Sequence, residues 1–293
     1  MSPQLQRITK DIHLVEGKNN GRFPFSHSIL IFSNSKETIL IDTGCGIEIL
    51  QNLKKKYLIN RIINSHTHPD HSAGNWVFEA DVESIEVPLQ GFNTSGNIFA
   101  LSNRFTEPGE IAKYWRNHVP KIMGMKNCKP TQSFDHKSEF DFGSTKLLPL
   151  YTPGHTIDHY CFYEPNDKIL FAFDIDLTSF GPWYGHRESN ISQFKESITK
   201  LKELEIKILV SSHKGIITEN IYKQLDEFQR KFEQRTRRIR ALYLAGKQSL
   251  GQLVEEKPIY GEFPYAEPLL RYWEEQMIKK HLTEIKPNFG TYD

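Results

Sequence analysis

His66-Thr67-His68-Pro69-Asp70-His71 places four side chains able to bind a metal within six residues. Imidazole and carboxylate donors together suit zinc, and imidazole-rich sites also accept iron or manganese. The preceding stretch, residues 60–65, reads as a short apolar strand with a polar exit. Alternation along an extended chain sends His66 and His68 to the same side. Pro69 holds His68 in an extended backbone, and the loop beyond it can turn Asp70 and His71 back. A histidine cluster can arise by chance on a surface strand, so the reading needs further ligands elsewhere in the chain.

They follow. Thr152-Pro153-Gly154-His155 comes after the apolar run 146–151, Asp174 ends the run that starts at Leu170, and His213 ends the run that starts at Ile208. Each donor sits just past the end of a predicted strand, where α/β architectures place their chemistry. Across residues 10–216 this pattern resembles the metallo-β-lactamase superfamily. The resemblance implies an α/β fold, the four-layer αββα sandwich, and a centre of two divalent metal ions, zinc foremost with iron and manganese as alternatives. It gives His66, His68 and His155 to one ion and Asp70, His71 and His213 to the other, with Asp174 bridging. Asp42, at the end of the predicted strand 37–42, would support the metal loop.

The chemistry implied is attack by a metal-bridged hydroxide on an ester-like bond of a small molecule, such as a thioester or lactone. Asp70 would orient the nucleophile or pass a proton. Endoribonuclease or phosphodiesterase activity is the alternative, and an iron-dependent persulfide dioxygenase a lesser one. One departure stands out. The family usually has Gly before the bridging Asp, and this chain has Phe173. A bulky residue there is expected to exclude a backbone that only Gly tolerates, so that either the turn is reshaped or Phe173 faces the pocket. Phe180, Trp183 and Tyr184, on a loop bounded by Gly and Pro, are expected to join it as apolar pocket walls.

The elements that position these groups read as follows. Strands are expected at 12–15, 28–32 and 37–42, with residues 33–36 as a hairpin loop, and helices at 47–56, 110–119 and 192–204. The resemblance implies that residues 18–25 overhang the site as a flap, and His27 reads as an ordinary strand residue. Residues 90–130 are the candidate insertion, rich in aromatics and Met, that would serve as a lid, a dimer contact or a plain satellite core. The domain would span 1–216, and 217–293 would be a helical, winged-helix-like extension with packing or homodimer contacts as its uses. The chain has 293 residues, 38% hydrophobic content and a net charge of +1, ample for a large core and against a dedicated polyanion binder. The tail balances acid and base, so charge gives a nucleic-acid role no support. Cys45, Cys128 and Cys161 show no paired spacing, and no signal-peptide or membrane-span pattern is visible, so a soluble cytoplasmic protein is expected.

Overall fold

The computed structural model describes residues 3–34 and 37–285. Ser35 and Lys36, half of the expected hairpin loop, and the first two residues lie outside them. The chain opens with β1 (Leu5–Arg7), β2 (Ile12–Val15), β3 (Ser28–Phe32) and β4 (Thr38–Ile41), then α1 (Ile47–Lys56) and β5 (Arg61–Ile63). The one-turn α2 (Pro69–Ser72) follows, then β6 (Ser84–Pro88), α3 (Ile98–Phe105), α4 (Glu110–Met123) and β7 (Gln132–Phe134). Next come β8 (Phe140–Asp141), β9 (Lys146–Tyr151), β10 (Tyr160–Glu164), β11 (Ile169–Phe173), α5 (Ile191–Leu201), β12 (Ile208–Ser211) and β13 (Gly215–Ile217). Three helices close the chain, α6 (Ile221–Leu244), α7 (Leu250–Glu255) and α8 (Glu267–Ile285).

Strands β1 to β7 form one seven-stranded sheet in sequence order, and β13 to β8 a six-stranded second sheet. Alternation decides which face each side chain covers. On β11, Ile169, Phe171 and Phe173 point into the core between the sheets, while Leu170 and Ala172 pack outward with α5 and α6. On the other outer face, Leu50 and Leu53 of α1 cover Leu30, Leu40 and Ile62. The result is helix, sheet, sheet, helix, the expected sandwich.

The insertion contributes two helices rather than one. Asn97 caps α3 by accepting from the Ala100 amide, a local signal at its start. Helix α4 runs past Val119 through Pro120 to Met123 and ends at Gly124, φ 69°. Among the described residues the tail carries helices and no strand. Ser249 starts α7 with a reciprocal capping box to Gln252. Helix α8 then packs Leu269, Leu270 and Trp273 against Leu101, Phe105 and Trp115 of the insertion. Two segments far apart in sequence therefore meet above the strand ends. Among the described residues no helix is long and apolar enough to cross a membrane.

Candidate metal centre

The ends of β5, β9, β11 and β12 converge at one side of the sandwich. Two donor sets result, His66, His68, His155 and Asp174, and Asp70, His71, Asp174 and His213, each with ligand atoms within 4.8 Å of one another. Asp174 belongs to both. Its Oδ2 lies 2.9 Å from His155 Nε2, and its Oδ1 2.9 Å from His71 Nε2 and 3.4 Å from His213 Nε2.

The backbone makes these positions specific. Gly154 sits at φ 130°, and a Cβ there would stand 2.2 Å from the Phe194 amide nitrogen, so Thr152-Pro153-Gly154-His155 needs its Gly. A Cβ on Gly44 would meet the Asp70 carbonyl oxygen at 1.4 Å. Asp42 leaves β4 at φ 60°. From that turn its carboxylate accepts from the Ser65 amide and hydroxyl, both at 2.8 Å, and contacts His71 Nδ1 at 2.7 Å.

Every imidazole of the two sets has one nitrogen tied down and the other turned inward. Nδ1 of His71 meets Asp42, and Nδ1 of His66 meets Ser65 Oγ at 3.0 Å. Nδ1 of His155 donates to the Trp183 carbonyl, and Nδ1 of His213 to the Gly21 carbonyl. His68 is reversed. Its Nε2 meets His186 Nδ1 at 2.8 Å, which leaves Nδ1 facing His155 Nε2 at 2.9 Å. Such outer bonds fix ring orientation and tautomer in metal sites. Nε2 of His66, Nε2 of His71 and Oδ1 of Asp174 are buried without an aligned hydrogen-bond partner. Buried polar atoms are normally satisfied, so orphaned donors converging on shared points fit a pair of metal ions.

The two sets differ in charge. Burial, then the neighbouring imidazoles, holds His66 and His68 well below the ordinary histidine value. Burial also opposes charge on His71 and His213, but Asp174 and the nearby carboxylates outweigh it. His71 is raised well above its usual range and His213 to about 9. Burial raises Asp70, whereas Asp174 overcomes its own burial through His71 and His155 and lies well below the usual carboxylate range.

His68, Asp70, His155, Asp174 and His213 of these sets line the floor of a cavity of about 290 Å³. Phe180 and Trp183 line it. Two expected wall residues do not. Phe173 keeps the left-handed turn at φ 47° and buries its ring between the sheets, edge-on to Phe162. The expectation that a bulky residue excludes that backbone is thus corrected, and so is its place in the pocket. Tyr184 is also buried, packed on Phe232, with its hydroxyl on His281. The flap expectation has a counterpart in Arg22 and Phe23 at the cavity rim. His27, at Gly17, accepts a backbone amide through Nδ1.

Sequence reasoning missed His186, which stacks on Phe105 at 4.1 Å between centroids. Nothing in its spacing from Asp174 marks it. It also missed Arg104 of α3, which reaches Asp158 and Glu188 at 2.7 Å and Thr67 at 2.8 Å. That buried ion pair ties the insertion to the loops bearing His66, His155 and His186. The cysteines are buried and unpaired, and burial pushes the Cys45 and Cys161 thiols up to about 12, which suits inert packing residues.

A family model described as the metallo-beta-lactamase superfamily matches residues 21–213, and the chain belongs to that superfamily. Over 98% of its length the chain is 24% identical to a protein of Passalora fulva named atrochrysone carboxyl ACP thioesterase, of which the match covers 80%. It is 26% identical to an acyl-coenzyme A thioesterase of Gallus gallus, over 60% of this chain and 67% of that protein. The crystal structure of a metallo-beta-lactamase family protein from Thermus thermophilus superposes with a TM-score of 0.74 at 19% identity, covering 95% of both chains.

Proposed function

We propose that this protein is a metal-dependent hydrolase that cleaves a thioester or a related ester-like bond in a small molecule. The observation that carries the reading is one carboxylate, Asp174, shared by two buried donor sets at the floor of a cavity. The thioesterase names of the relatives above support the bond type. Zinc is the proposed ion, since the donors are imidazole nitrogens and carboxylate oxygens. Divalent ions held there would supply acidification of a water, lowering its pKa towards about 7, and polarisation of the acyl carbonyl.

The chain's own groups do the rest. His66, His68, His155 and Asp174 would hold one ion, and Asp70, His71, His213 and Asp174 the other. Asp70 Oδ2, 3.6 Å from His213 Nε2, orients the attacking water and takes up its proton. Asp42 and His186 keep His71 and His68 aimed. Residues 1–216 carry the ligands, while 217–293 supply part of the cavity wall. The expected setting is the cytoplasm, with no membrane partner and a nucleic-acid partner disfavoured by charge.

The test is turnover by zinc-reconstituted protein on matched thioester, lactone, phosphodiester and short RNA substrates, with a persulfide arm for the iron-loaded protein. Thioester hydrolysis that chelator abolishes and zinc restores is the expected result. Faster cleavage of RNA or phosphodiester, or oxygen uptake with persulfide alone, would refute the assignment.

A further inference from the structure

Besides the donor sets, the cavity lining includes the polar Asp176 and Thr178 and a largely apolar wall. Above the donor sets, its buried wall comes from Trp115, Val119 and Met123 of α4 and Leu270 and Trp273 of α8, with Trp183 between them. Trp183 sits edge-on to Trp273 at 5.4 Å and donates its indole N–H to the Tyr260 hydroxyl at 2.6 Å, while the buried Trp273 indole N–H has no hydrogen-bond partner. Among the described residues Arg22 is the one Lys or Arg side chain on the lining, and it is exposed, at the rim beside Phe23. A charged or heavily hydroxylated group placed against this wall would lose its hydration with little beyond the Trp273 indole N–H to replace it, whereas an apolar group gains by burial.

Size narrows the choice. An apolar cavity of about 150 Å³ is enough to bind benzene. The space here is about 290 Å³, roughly that of two fused rings. Three indoles on the lining favour rings over a flexible chain, since aromatic pairs gain beyond their buried area.

We infer that the cavity formed by α4 and α8 is an acyl-group site for an apolar aromatic acyl chain of about two fused rings, with the leaving group directed outward past Arg22. This inference rests on the hydrolase reading for its chemistry, but the binding it asserts stands apart from turnover. Hydrolysis breaks the acyl carbon–sulfur bond, adds water's hydroxyl to the acyl carbon, and returns its proton to the departing thiolate.

The experiment uses the metal-loaded full chain and acetyl, benzoyl and 2-naphthoyl thioesters of one neutral thiol, N-acetylcysteamine, alongside calorimetric titration with 2-naphthamide and acetamide. Val119→Trp, which fills the cavity from α4, is carried in parallel. The inference expects kcat/KM to rise roughly a hundredfold from acetyl to 2-naphthoyl. It expects 2-naphthamide to bind with acetamide silent, and the naphthoyl-to-acetyl ratio to fall at least tenfold in Val119→Trp. Equal kcat/KM across the series together with no heat from 2-naphthamide would overturn it, whether or not the variant folds. Binding of 2-naphthamide that Val119→Trp abolishes, with no thioester turned over, would sustain the acyl-group site and defeat the hydrolase reading instead.

Discussion

The floor and the wall of the same cavity are held by different forces. On the floor each ring is locked by a directed bond, His71 by Asp42, His68 by His186, His213 by the Gly21 carbonyl. On the wall Trp115, Val119, Leu270 and Trp273 are held by packing between α4 and α8. The difference follows from what each must do. A metal tolerates little angular error, so its ligands need oriented partners. An apolar group needs only shape and dryness, which close packing supplies. The floor should therefore respond sharply to loss of a single hydrogen bond, and the wall to changes of volume.

The largest effect is expected for Asp174→Ala, which removes a ligand from both donor sets. Activity should fall to background, and bound metal from two ions per chain to one or none by elemental analysis. A variant that keeps two ions would break the claim that both sets depend on that carboxylate. Next come the orienting groups. Asp42→Asn keeps a residue that tolerates φ 60°, yet removes the charge facing His71, and His186→Ala frees His68. Each should weaken metal affinity about 10–100-fold in a chelator competition, with the melting curve little changed. Unchanged affinity would mean that packing alone aims these rings.

Phe173→Gly sharpens the contrast from the other side. Relief of the left-handed backbone should return about 1–2 kcal/mol, while loss of the buried ring should remove about 3–5 kcal/mol. A net loss of about 2 kcal/mol in denaturant unfolding is expected, with metal content intact because the ring faces the inter-sheet core. Loss of an ion in this variant would show that Phe173 shapes the metal floor after all.

The smallest effect concerns the joint between the wall and the sandwich. Arg235 donates to the Tyr184 hydroxyl, Tyr184 contacts His281 Nε2, and His281 Nδ1 contacts Thr236, each of the last two at 2.8 Å. The neutral ring satisfies both neighbours. Burial, then Arg235, Lys195 and Lys280, depresses His281 to about 3, with Glu284 near Thr236. A histidine depressed in the fold binds its proton first in the unfolded chain. Its stabilising contribution is complete above the unfolded value near 6.5 and declines as pH falls towards 3. Unfolding free energy should thus drop by about 2 kcal/mol between pH 7 and pH 5 on this account, and His281→Gln should flatten that slope. An unchanged slope in the variant would place the proton uptake elsewhere.

How much the sequence disclosed follows the same division. The donor cluster was legible because its residues sit at strand ends in short motifs, where spacing and chemistry coincide. Asp42, His66 and Asp174 need only local chain to reach their places. His186 was not legible, since its role depends on the loop from Asp174 folding back over His68, which no spacing encodes. The wall was hidden for a similar reason, because Trp115 and Trp273 meet only when α8 docks on the insertion. The misplaced residues carried a local signal that was passed over. Neighbours on an extended chain point opposite ways, so Trp183 and Tyr184 cannot both face the cavity, and Phe173 shares its side of β11 with Phe171. Phe173 also shows that inter-sheet burial can outweigh a left-handed backbone.

The most direct measurement is anomalous X-ray scattering from crystals of the full chain, grown from protein supplied with zinc and never exposed to chelator. Two peaks are predicted, one among His66, His68 and His155, the other among Asp70, His71 and His213, with Asp174 reaching both. Well-ordered crystals with those side chains clear in density and neither position occupied would contradict the account.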